Sequence, residues 1–352
     1  MGASVLLDDS KVLDIIYSGT QWTHQTNVDS LFNRTLTVCA TNTRTTPAPS
    51  FSFLFYGTDI SIYAPGKNGV AFNYTIDGTT IRPGIINSFP NVKSQTSVNI
   101  WNLQGLDSAV YHSLKVFPTA GQFAIDYLTY TPNQNTGSFG LVGLDLIVDD
   151  ADGPIQYSGS WTNSTSSNVP AGIPYKGTLT GTKTNGSSMN FAFTGSTISV
   201  YGLLNQGDGK LSASFSVDGG APTAFAPFNG TQTIDASLWT PSQFFHQDLV
   251  PGSHSLHVEL GEATGSQMLW IDSVIFEATT GSSTNTSTSN STHSKFPLGA
   301  IGGIVAGLLV LLVLGRVFRR KPVIIPVTVV EPEPEPMFAV TRITQETTYI
   351  RR

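Results

Sequence analysis

Short stretches in which apolar and polar residues alternate run through most of the chain. In Met189-Asn-Phe-Ala-Phe193 every second residue is large and apolar, and the alternation resumes in Ile198-Ser-Val200. Because alternate side chains of a strand point to opposite faces, this pattern predicts a strand, a turn at 194–196 and a second strand. Asp77-Gly78 and Asp218-Gly219 end two further stretches and predict tight turns with positive φ. No amphipathic helix precedes residue 296, so the pattern predicts antiparallel β-sandwiches.

The first 280 residues contain one unit written twice, with a period near 140 residues. Six blocks recur in the same order and at nearly the same spacing, which indicates two copies of one domain at residues 3–132 and 140–279. The polar segment 131–137 is too short to separate them widely, so we expect the copies to pack together. The matched blocks are 6–10 with 147–151, 16–22 with 155–161, 51–63 with 189–201, 73–78 with 214–219, 112–116 with 254–258, and 123–128 with 269–274.

The repeated motifs resemble a known superfamily. F-x-F-x-G-x-x-I-x-I-Y at 53–63, I-D-G at 76–78, H-S-L-x-V at 112–116 and I-D-x-L at 125–128 are similar to the jelly-roll sandwiches of the galactose-binding-like superfamily. The whole chain resembles fungal single-pass surface proteins with two such domains. This resemblance implies tandem jelly rolls, which in many relatives bind sugars through loops at one end of the sandwich and in others are only structural.

A membrane anchor is predicted near the C-terminus. Residues 296–315 are twenty residues without a charge, and Arg316, Arg319, Arg320 and Lys321 follow at once. A helix of that length spans a bilayer's hydrocarbon core, and flanking basic residues stay in the cytoplasm. We therefore predict a membrane-spanning helix at 296–318 that contacts lipid, with a cytoplasmic tail at 319–352 and the domains outside, at the plasma membrane. The alternative is a buried core helix, which rarely needs so long an apolar run.

The segment in front of this helix and the helix itself carry further signals. Residues 280–295 are nearly pure Ser, Thr, Asn and Gly and predict a glycosylated stalk. Gly299, Gly303 and Gly307 recur every four residues, a spacing that lets two membrane helices approach closely and form a homodimer. Seven N-x-S/T sequons all precede the helix, as expected of a secreted domain. They begin at Asn33, Asn73, Asn163, Asn185, Asn229, Asn285 and Asn290.

The start of the chain does not match this topology. MGASVLLDDSKVLD lacks the basic start and apolar stretch of a signal peptide, which an exported domain of this size should need. We expect the natural N-terminus to lie upstream. The alternative is insertion directed by the membrane helix itself.

Composition narrows the classes of partner. The chain holds 18 Lys and Arg against 24 Asp and Glu, and the acidic excess lies ahead of residue 296. This balance disfavours nucleic acid as a partner. Cys39 is the only cysteine, so disulfides within the chain and cysteine-based zinc sites are excluded. Its apolar neighbours predict a buried strand residue.

Motifs that carry catalytic chemistry are missing from the sequence. There is no G-x-S-x-G, H-E-x-x-H, P-loop or EF-hand motif, and we predict neither enzyme activity nor a cofactor. His254 and His257 would point to opposite faces of a strand, which is poor geometry for one metal. Paired carboxylates recur in both copies, at Asp8, Asp9, Asp149 and Asp150. They could cap turns, the interpretation that we favour, or hold calcium.

Aromatic residues are the candidates for ligand contact. Trp22 and Trp161 recur in both copies, so they either pack the shared framework, which we favour, or stack on a sugar. Segments where the copies differ fit a ligand better, because they place aromatic residues beside amides. These candidates are Trp101, Trp239, Phe244 and Phe245. The sequence therefore predicts a surface protein that binds or senses extracellular glycan, with a structural or adhesive spacer as the alternative and a polysaccharide-active enzyme as a third.

Overall fold

The fold was determined as a computed structural model that describes residues 2–29, 31–41, 47–66, 69–86, 96–133, 138–165 and 173–280. All strand pairs in these ranges are antiparallel, and the helical residues are short 3-10 turns at Phe32–Arg34, Ser138–Leu141 and Tyr175–Gly177. The predicted all-β, antiparallel architecture is confirmed. Met1–Asn285 forms one compact unit, and the predicted domain boundaries at 132 and 140 stay predictions.

The first half of this unit is built from twelve strands in the described residues. They are β1 Ser4–Asp8, β2 Ile15–Ser18, β3 Trp22–Thr26, β4 Thr35–Ala40, β5 Ser50–Phe55, β6 Asp59–Pro65, β7 Ala71–Ile76, β8 Arg82–Gly84, β9 Ser97–Gln104, β10 His112–Ala120, β11 Gln122–Ile125 and β12 Tyr127–Tyr130. Strands β2-β5-β10-β7-β8 form one sheet and β11-β4-β3 form another, while β12, β6 and β9 lie beside β1.

The second half repeats the plan with longer strands. They are β13 Asp145–Asp149, β14 Ile155–Ser158, β15 Thr162–Thr165, β16 Thr178–Thr182, β17 Ser188–Gln206, β18 Lys210–Val217, β19 Thr223–Asn229, β20 Asp235–Ala263 and β21 Leu269–Glu277. Strand β17 corresponds to β5 and β6 joined, and β20 corresponds to β9 and β10 joined. The two copies therefore differ in where their strands are interrupted.

The predicted turn at 194–196 is wrong. Strand β17 runs through these residues and absorbs the break in alternation as a register shift between Gly195 and Thr197. A glycine permits this bulge, because a Cβ at Gly195 would lie 2.6 Å from the carbonyl oxygen of Glu277. In the first copy the chain does leave the sheet here, between β5 and β6.

Other local predictions are confirmed. Asp77 and Gly78 have φ of 55° and 67°, and Asp218 and Gly219 have φ of 55° and 68°. Both Asp-Gly pairs thus form turns with two residues in the left-handed region, where glycine meets no steric penalty. Cys39 is fully buried in β4, and its burial raises the pKa of the thiol to about 11.

Two hydrophobic cores fill the two halves. Phe51, Phe72, Leu114 and Phe123 are fully buried in the first core. In the second core, Phe215 and the strands β17, β20 and β21 supply most of the apolar surface. Strand β1 contributes to both cores, because Leu7 packs into the first core while Val5 packs into the second.

Within the described ranges, no helix is long and apolar enough to cross a membrane. The predicted helix at 296–318 and tail at 319–352 lie outside the described residues, as does the stalk after residue 280. Asn285, Asn290, Gly299, Gly303 and Gly307 lie outside them too.

Candidate functional site

The two copies meet edge to edge through β1 and β13. Their register places Ser4 opposite Ile147, Val5 opposite Leu146 and Leu6 opposite Asp145. Val5 and Leu146 hold the same position in the repeat, so the pairing has a local twofold axis between them. The order β9-β6-β12-β1 of the first copy continues as β13-β21-β17-β20 of the second. The copies therefore share one continuous sheet, and the predicted mutual packing takes this form.

The outer face of the shared sheet carries a separate apolar cluster at the junction. Leu6, Ile147 and Ile275 are buried there. Aromatic rings from both copies surround them, since the 3-10 turns of the two copies bring Phe32 and Tyr175 over the sheet. A cleft of about 540 Å³ opens on this face and is lined by residues of both copies.

Residues of the second copy form a polar wall of this cleft. The side-chain amide of Gln243 donates to the hydroxyl of Tyr201 and to Oγ of Ser199, both at 3.2 Å. Beside the wall, Oγ of Ser199 lies 2.9 Å from Nδ1 of His246, whose Nε2 lies 3.3 Å from a carboxylate oxygen of Asp248. Gln243 is exposed and Tyr201 is half-buried. An aromatic ring and an amide thus line one open surface.

The matching surface of the first copy is closed. Tyr63 holds the repeat position of Tyr201, but its ring stacks on Tyr127 at a centroid distance of 4.4 Å and lies 6.0 Å from Tyr175. Tyr63 and Tyr175 are buried. On the open side, Phe32 is the one aromatic ring of the described residues that lies near the ring of Tyr201, at 6.1 Å. The local twofold symmetry is therefore broken, and the described part of the chain forms one such open surface at the junction.

Two carboxyl groups at equivalent repeat positions line the cleft. Asp126 accepts the backbone N–H of Phe32 at 3.1 Å, and Asp272 accepts that of Tyr175 at 2.8 Å. Each bond fixes the 3-10 turn that supplies the aromatic ring. Burial raises the pKa of both carboxyls well above the ordinary value, in spite of these hydrogen bonds. Asp126 is fully buried and Asp272 is partly exposed.

The predicted calcium candidates do not line the cleft and accept hydrogen bonds from neighbouring residues. In the first copy, Asp9 accepts the hydroxyls of Thr35 and Thr37 at 2.6 and 2.5 Å, and Asp8 accepts the N–H of Ser10 at 2.9 Å. This arrangement agrees with the capping interpretation for Asp8. No group of three or more His, Cys, Asp or Glu residues in the described part of the chain is arranged to hold a metal ion.

The second copy repeats this carboxylate arrangement. Asp150 accepts the hydroxyls of Thr178 and Thr180 at 2.8 and 2.5 Å, and Asp149 accepts that of Thr178 at 3.0 Å. Burial, together with the charge of Asp150, raises the pKa of Asp149 to about 7. Burial raises the pKa of Asp9 to about 6. Asp9, Asp149 and Asp150 therefore lie in threonine-lined pockets that disfavour their ionisation.

The repeated histidines belong to the framework. His112 lies 2.8 Å from Asp77 through Nδ1 and 2.8 Å from the carbonyl of Asp107 through Nε2. His254 makes the same contacts with Asp218 and the carbonyl of Val250, at 2.7 and 2.8 Å. Because both ring nitrogens face acceptors, the doubly protonated ring satisfies both bonds. These contacts tie each Asp-Gly turn to the start of the neighbouring strand segment.

Three of the predicted ligand contacts lie in the cores. Trp101 is only 5% exposed and packs edge-on against Tyr74 and Phe72, while Phe244 and Phe245 are each 6% exposed. The register aligns Trp101 with Ile62 and Phe245 with Val200, so the two hold equivalent positions although their local sequences differ. This burial does not fit ligand contact and corrects the prediction for these three residues to core packing.

The remaining predicted tryptophans are partly buried. Trp22 and Trp161 pack against Tyr17 and Tyr157 and donate their indole N–H groups to the carbonyls of Ser18 and Ser158. Their equivalent contacts suit the framework role. Trp239 packs against Trp270 at 6.2 Å, three strand positions from the cleft residue Ser242. Its role in ligand contact stays a prediction.

Four of the predicted glycosylation sites are exposed in the described residues, namely Asn33, Asn163, Asn185 and Asn229, and Asn73 is half-buried. Their modification stays a prediction.

No family model and no curated protein matches this chain. Among solved structures, it is similar to a Paenibacillus xanthan lyase at 13% identity, over 75% of this chain and 25% of that one, with a TM-score of 0.27. A family two carbohydrate esterase from Cellvibrio japonicus has 13% identity over 38% and 34% of the two chains, with a TM-score of 0.26. The tandem CBM22 domains of Paenibacillus barcinonensis Xyn10C have 12% identity over 78% and 96%, with a TM-score of 0.26.

This chain thus spans about a quarter of the xanthan lyase and a third of the esterase. Similarities with TM-scores this low support no conclusion about the fold or the function of the chain. What is established is a compact, antiparallel β-protein with two equivalent halves and an open cleft at their junction.

Proposed function

We propose that this protein is a non-catalytic, single-pass surface protein whose paired β-domains bind extracellular glycan in the cleft at their junction. The observation that carries the proposal is the wall formed by Tyr201 and Gln243. A sugar ring offers an apolar face for stacking and hydroxyl groups at its edge. An aromatic side chain beside an exposed amide meets both needs, and a concave site lined by apolar and a few polar groups is typical of ligand pockets.

The buried carboxyls support the same ligand class. Asp272 lies in the cleft lining, and burial holds its pKa well above the ordinary value, so the carboxyl is favoured in its neutral form. A neutral carboxyl can both donate and accept a hydrogen bond, as a sugar hydroxyl requires. We propose Tyr201, Gln243 and Asp272 as the contacts of the ligand.

The surface location rests on the sequence. The uncharged run at 296–315, the basic residues that follow it and the sequons ahead of it support a membrane anchor with the β-domains outside. A jelly-roll fold of the galactose-binding-like kind is proposed for both halves on the resemblance of the repeated motifs. Sensing through the stalk and tail is the extension of this proposal.

Binding to a glycan array tests the ligand class. The full chain is expected to bind at least one extracellular polysaccharide or oligosaccharide. Tyr201→Ala should weaken binding at least tenfold, because it removes both the ring on which the sugar stacks and the phenol hydroxyl beside it. Gln243→Ala should weaken it several-fold. Gln247→Ala is the matched control, because Gln247 is exposed on the same strand but does not line the cleft.

The alternatives give different results. A folded chain that binds no glycan would support the structural or adhesive spacer. Glycan binding that is unchanged in Tyr201→Ala and Gln243→Ala would mean that the site lies outside the cleft. Trp239 would then be the next residue to change. Release of reducing sugar from a polysaccharide panel would contradict the non-catalytic assignment.

Membrane attachment has its own test. In cells, the full chain is expected to stay in the membrane pellet after alkaline carbonate washing, whereas a variant that lacks residues 296–318 should be released. An endoglycosidase should lower the apparent mass of both forms. A full chain that is washed off and carries no glycan would overturn the proposed topology.

A further inference from the structure

The only described sequon at the cleft lies in the first copy. Asn33 is exposed, has a φ of 46° and lies in the 3-10 turn that forms the first-copy side of the cleft. Asn-Arg-Thr at 33–35 is a complete sequon. The equivalent residue of the second copy is Lys176, which has the same backbone conformation, with a φ of 50°, but cannot accept a glycan. A glycan on Asn33 would therefore break the symmetry of the junction still further.

The contacts of Asn33 set the direction that a glycan would take. Nδ2 of Asn33 donates to a carboxylate oxygen of Asp8 at 3.0 Å. An asparagine amide has two hydrogens, and glycosylation replaces one of them. The other hydrogen can keep its bond to the buried Asp8, so the planar amide stays anchored. Asn33 lines the cleft and Asp8 does not, so a sugar on the free side of the amide would extend toward the cleft.

We propose that an N-linked glycan on Asn33 extends over the cleft at the junction and controls access to Tyr201 and Gln243. This deepens the proposed function and rests on it. The transfer forms a bond between Nδ2 and the anomeric carbon of an oligosaccharide from a polyprenyl diphosphate donor. The diphosphate leaves, and the amide loses one proton to a base.

The proposal is tested by the accessibility of the cleft, which needs no known ligand. Gln243→Cys introduces a thiol into the cleft wall, and native Cys39 is fully buried and gives little background. The full chain carrying this substitution is produced in a eukaryotic cell, and its labelling by a polymer-tagged maleimide is timed. Labelling should be several-fold faster after an endoglycosidase has trimmed each glycan to one N-acetylglucosamine. Trimming leaves the Asn33 amide and its bond to Asp8 intact.

Matched variants assign the effect to one glycan. Asn33→Gln should speed labelling as trimming does, whereas Asn229→Gln should not, because Asn229 does not line the cleft. A thiol introduced by Gln247→Cys on the same strand should react at one rate in all forms. Equal labelling before and after trimming, or glycopeptide mass spectrometry that finds Asn33 unmodified, would overturn the proposal. A labelling difference without any glycan-array binding would show that the Asn33 glycan shields the cleft, but it would remove the ligand whose access is controlled and with it the proposed function.

Discussion

The free energy of unfolding is expected to fall as the pH rises from about 4 to about 8, because the fold buries carboxyl groups that resist ionisation. Burial raises the pKa of Asp9 to about 6, and burial with the charge of Asp150 raises that of Asp149 to about 7, from an ordinary 3.8. An acid whose pKa is raised in the folded state binds its proton more tightly there. Its stabilising contribution is complete below the ordinary pKa and is lost as the pH rises through 6 and 7.

The His112–Asp77 and His254–Asp218 pairs also lower the free energy of unfolding as the pH rises above neutral. Burial lowers the pKa of His112 and His254, but the hydrogen bonds that their rings donate to Asp77 and Asp218 outweigh it and leave the pKa of each histidine raised. A histidine with a raised pKa stabilises the fold below the ordinary 6.5 and loses that contribution as the pH rises through the folded value. The pKa of each partner carboxyl is lowered, so the pairs also weaken in strong acid.

Thermal unfolding across this pH range measures the effect. Since one pKa unit corresponds to about 1.4 kcal/mol, Asp9 and Asp149 together should cost several kcal/mol on ionisation. For domains of this size that is a drop in Tm on the order of 10 °C. Asp149→Asn keeps an oxygen for the Thr178 hydroxyl and removes the charge, so it should flatten the profile. Asp248→Asn, at a side chain that is 86% exposed, should leave the profile unchanged.

A Tm that rises toward pH 8 would contradict this account. If a chelator abolished such a rise, calcium bound by the paired carboxylates would be the better explanation.

The strands could be predicted from the sequence because most of them have one buried face. Alternation in Phe191 and Phe193, or in Leu114 and Val116, marks such a face, and the repeat then locates the equivalent strand. The junction of the two copies could not be predicted in the same way, because backbone pairing at a sheet edge leaves no periodic mark. One signal was available: Val5-Leu-Leu7 and Leu146-Ile-Val148 are unbroken apolar runs, as expected of strands covered on both faces.

The candidate site was harder to predict for a related reason. Phe244 and Phe245 are adjacent, so alternation places one of them outside, but both are buried because the register shifts between Val200 and Tyr201. A bulge of this kind changes which face a side chain occupies. The same shift brings Gln243 opposite Tyr201 in the cleft wall. Loop divergence therefore indicated the strand that lines the cleft, but Phe244 and Phe245 on that strand are buried.

Truncation of either core is expected to destabilise both halves together. Leu114 is fully buried in β10 between Phe53 and Ile76, and Leu256 holds the equivalent position in the second core. Removing a buried leucine leaves a cavity, and Leu114→Ala or Leu256→Ala should each lower the free energy of unfolding by about 2–5 kcal/mol. Leu54→Ala is the control, because that leucine is 66% exposed on the same sheet as Leu114.

The unfolding of the two halves shows whether the shared sheet couples their stability. Strand β1 belongs to the first copy by sequence, yet it places Val5 in the second core and Leu7 in the first, and it pairs with both β12 and β13. Loss of the first core should therefore expose apolar surface of the second. Denaturant unfolding of Leu114→Ala, followed by tryptophan fluorescence and by circular dichroism, is expected to show one shifted transition with both probes. Two separated transitions, with the second at the wild-type midpoint, would mean that the β1–β13 pairing joins two independently folding domains.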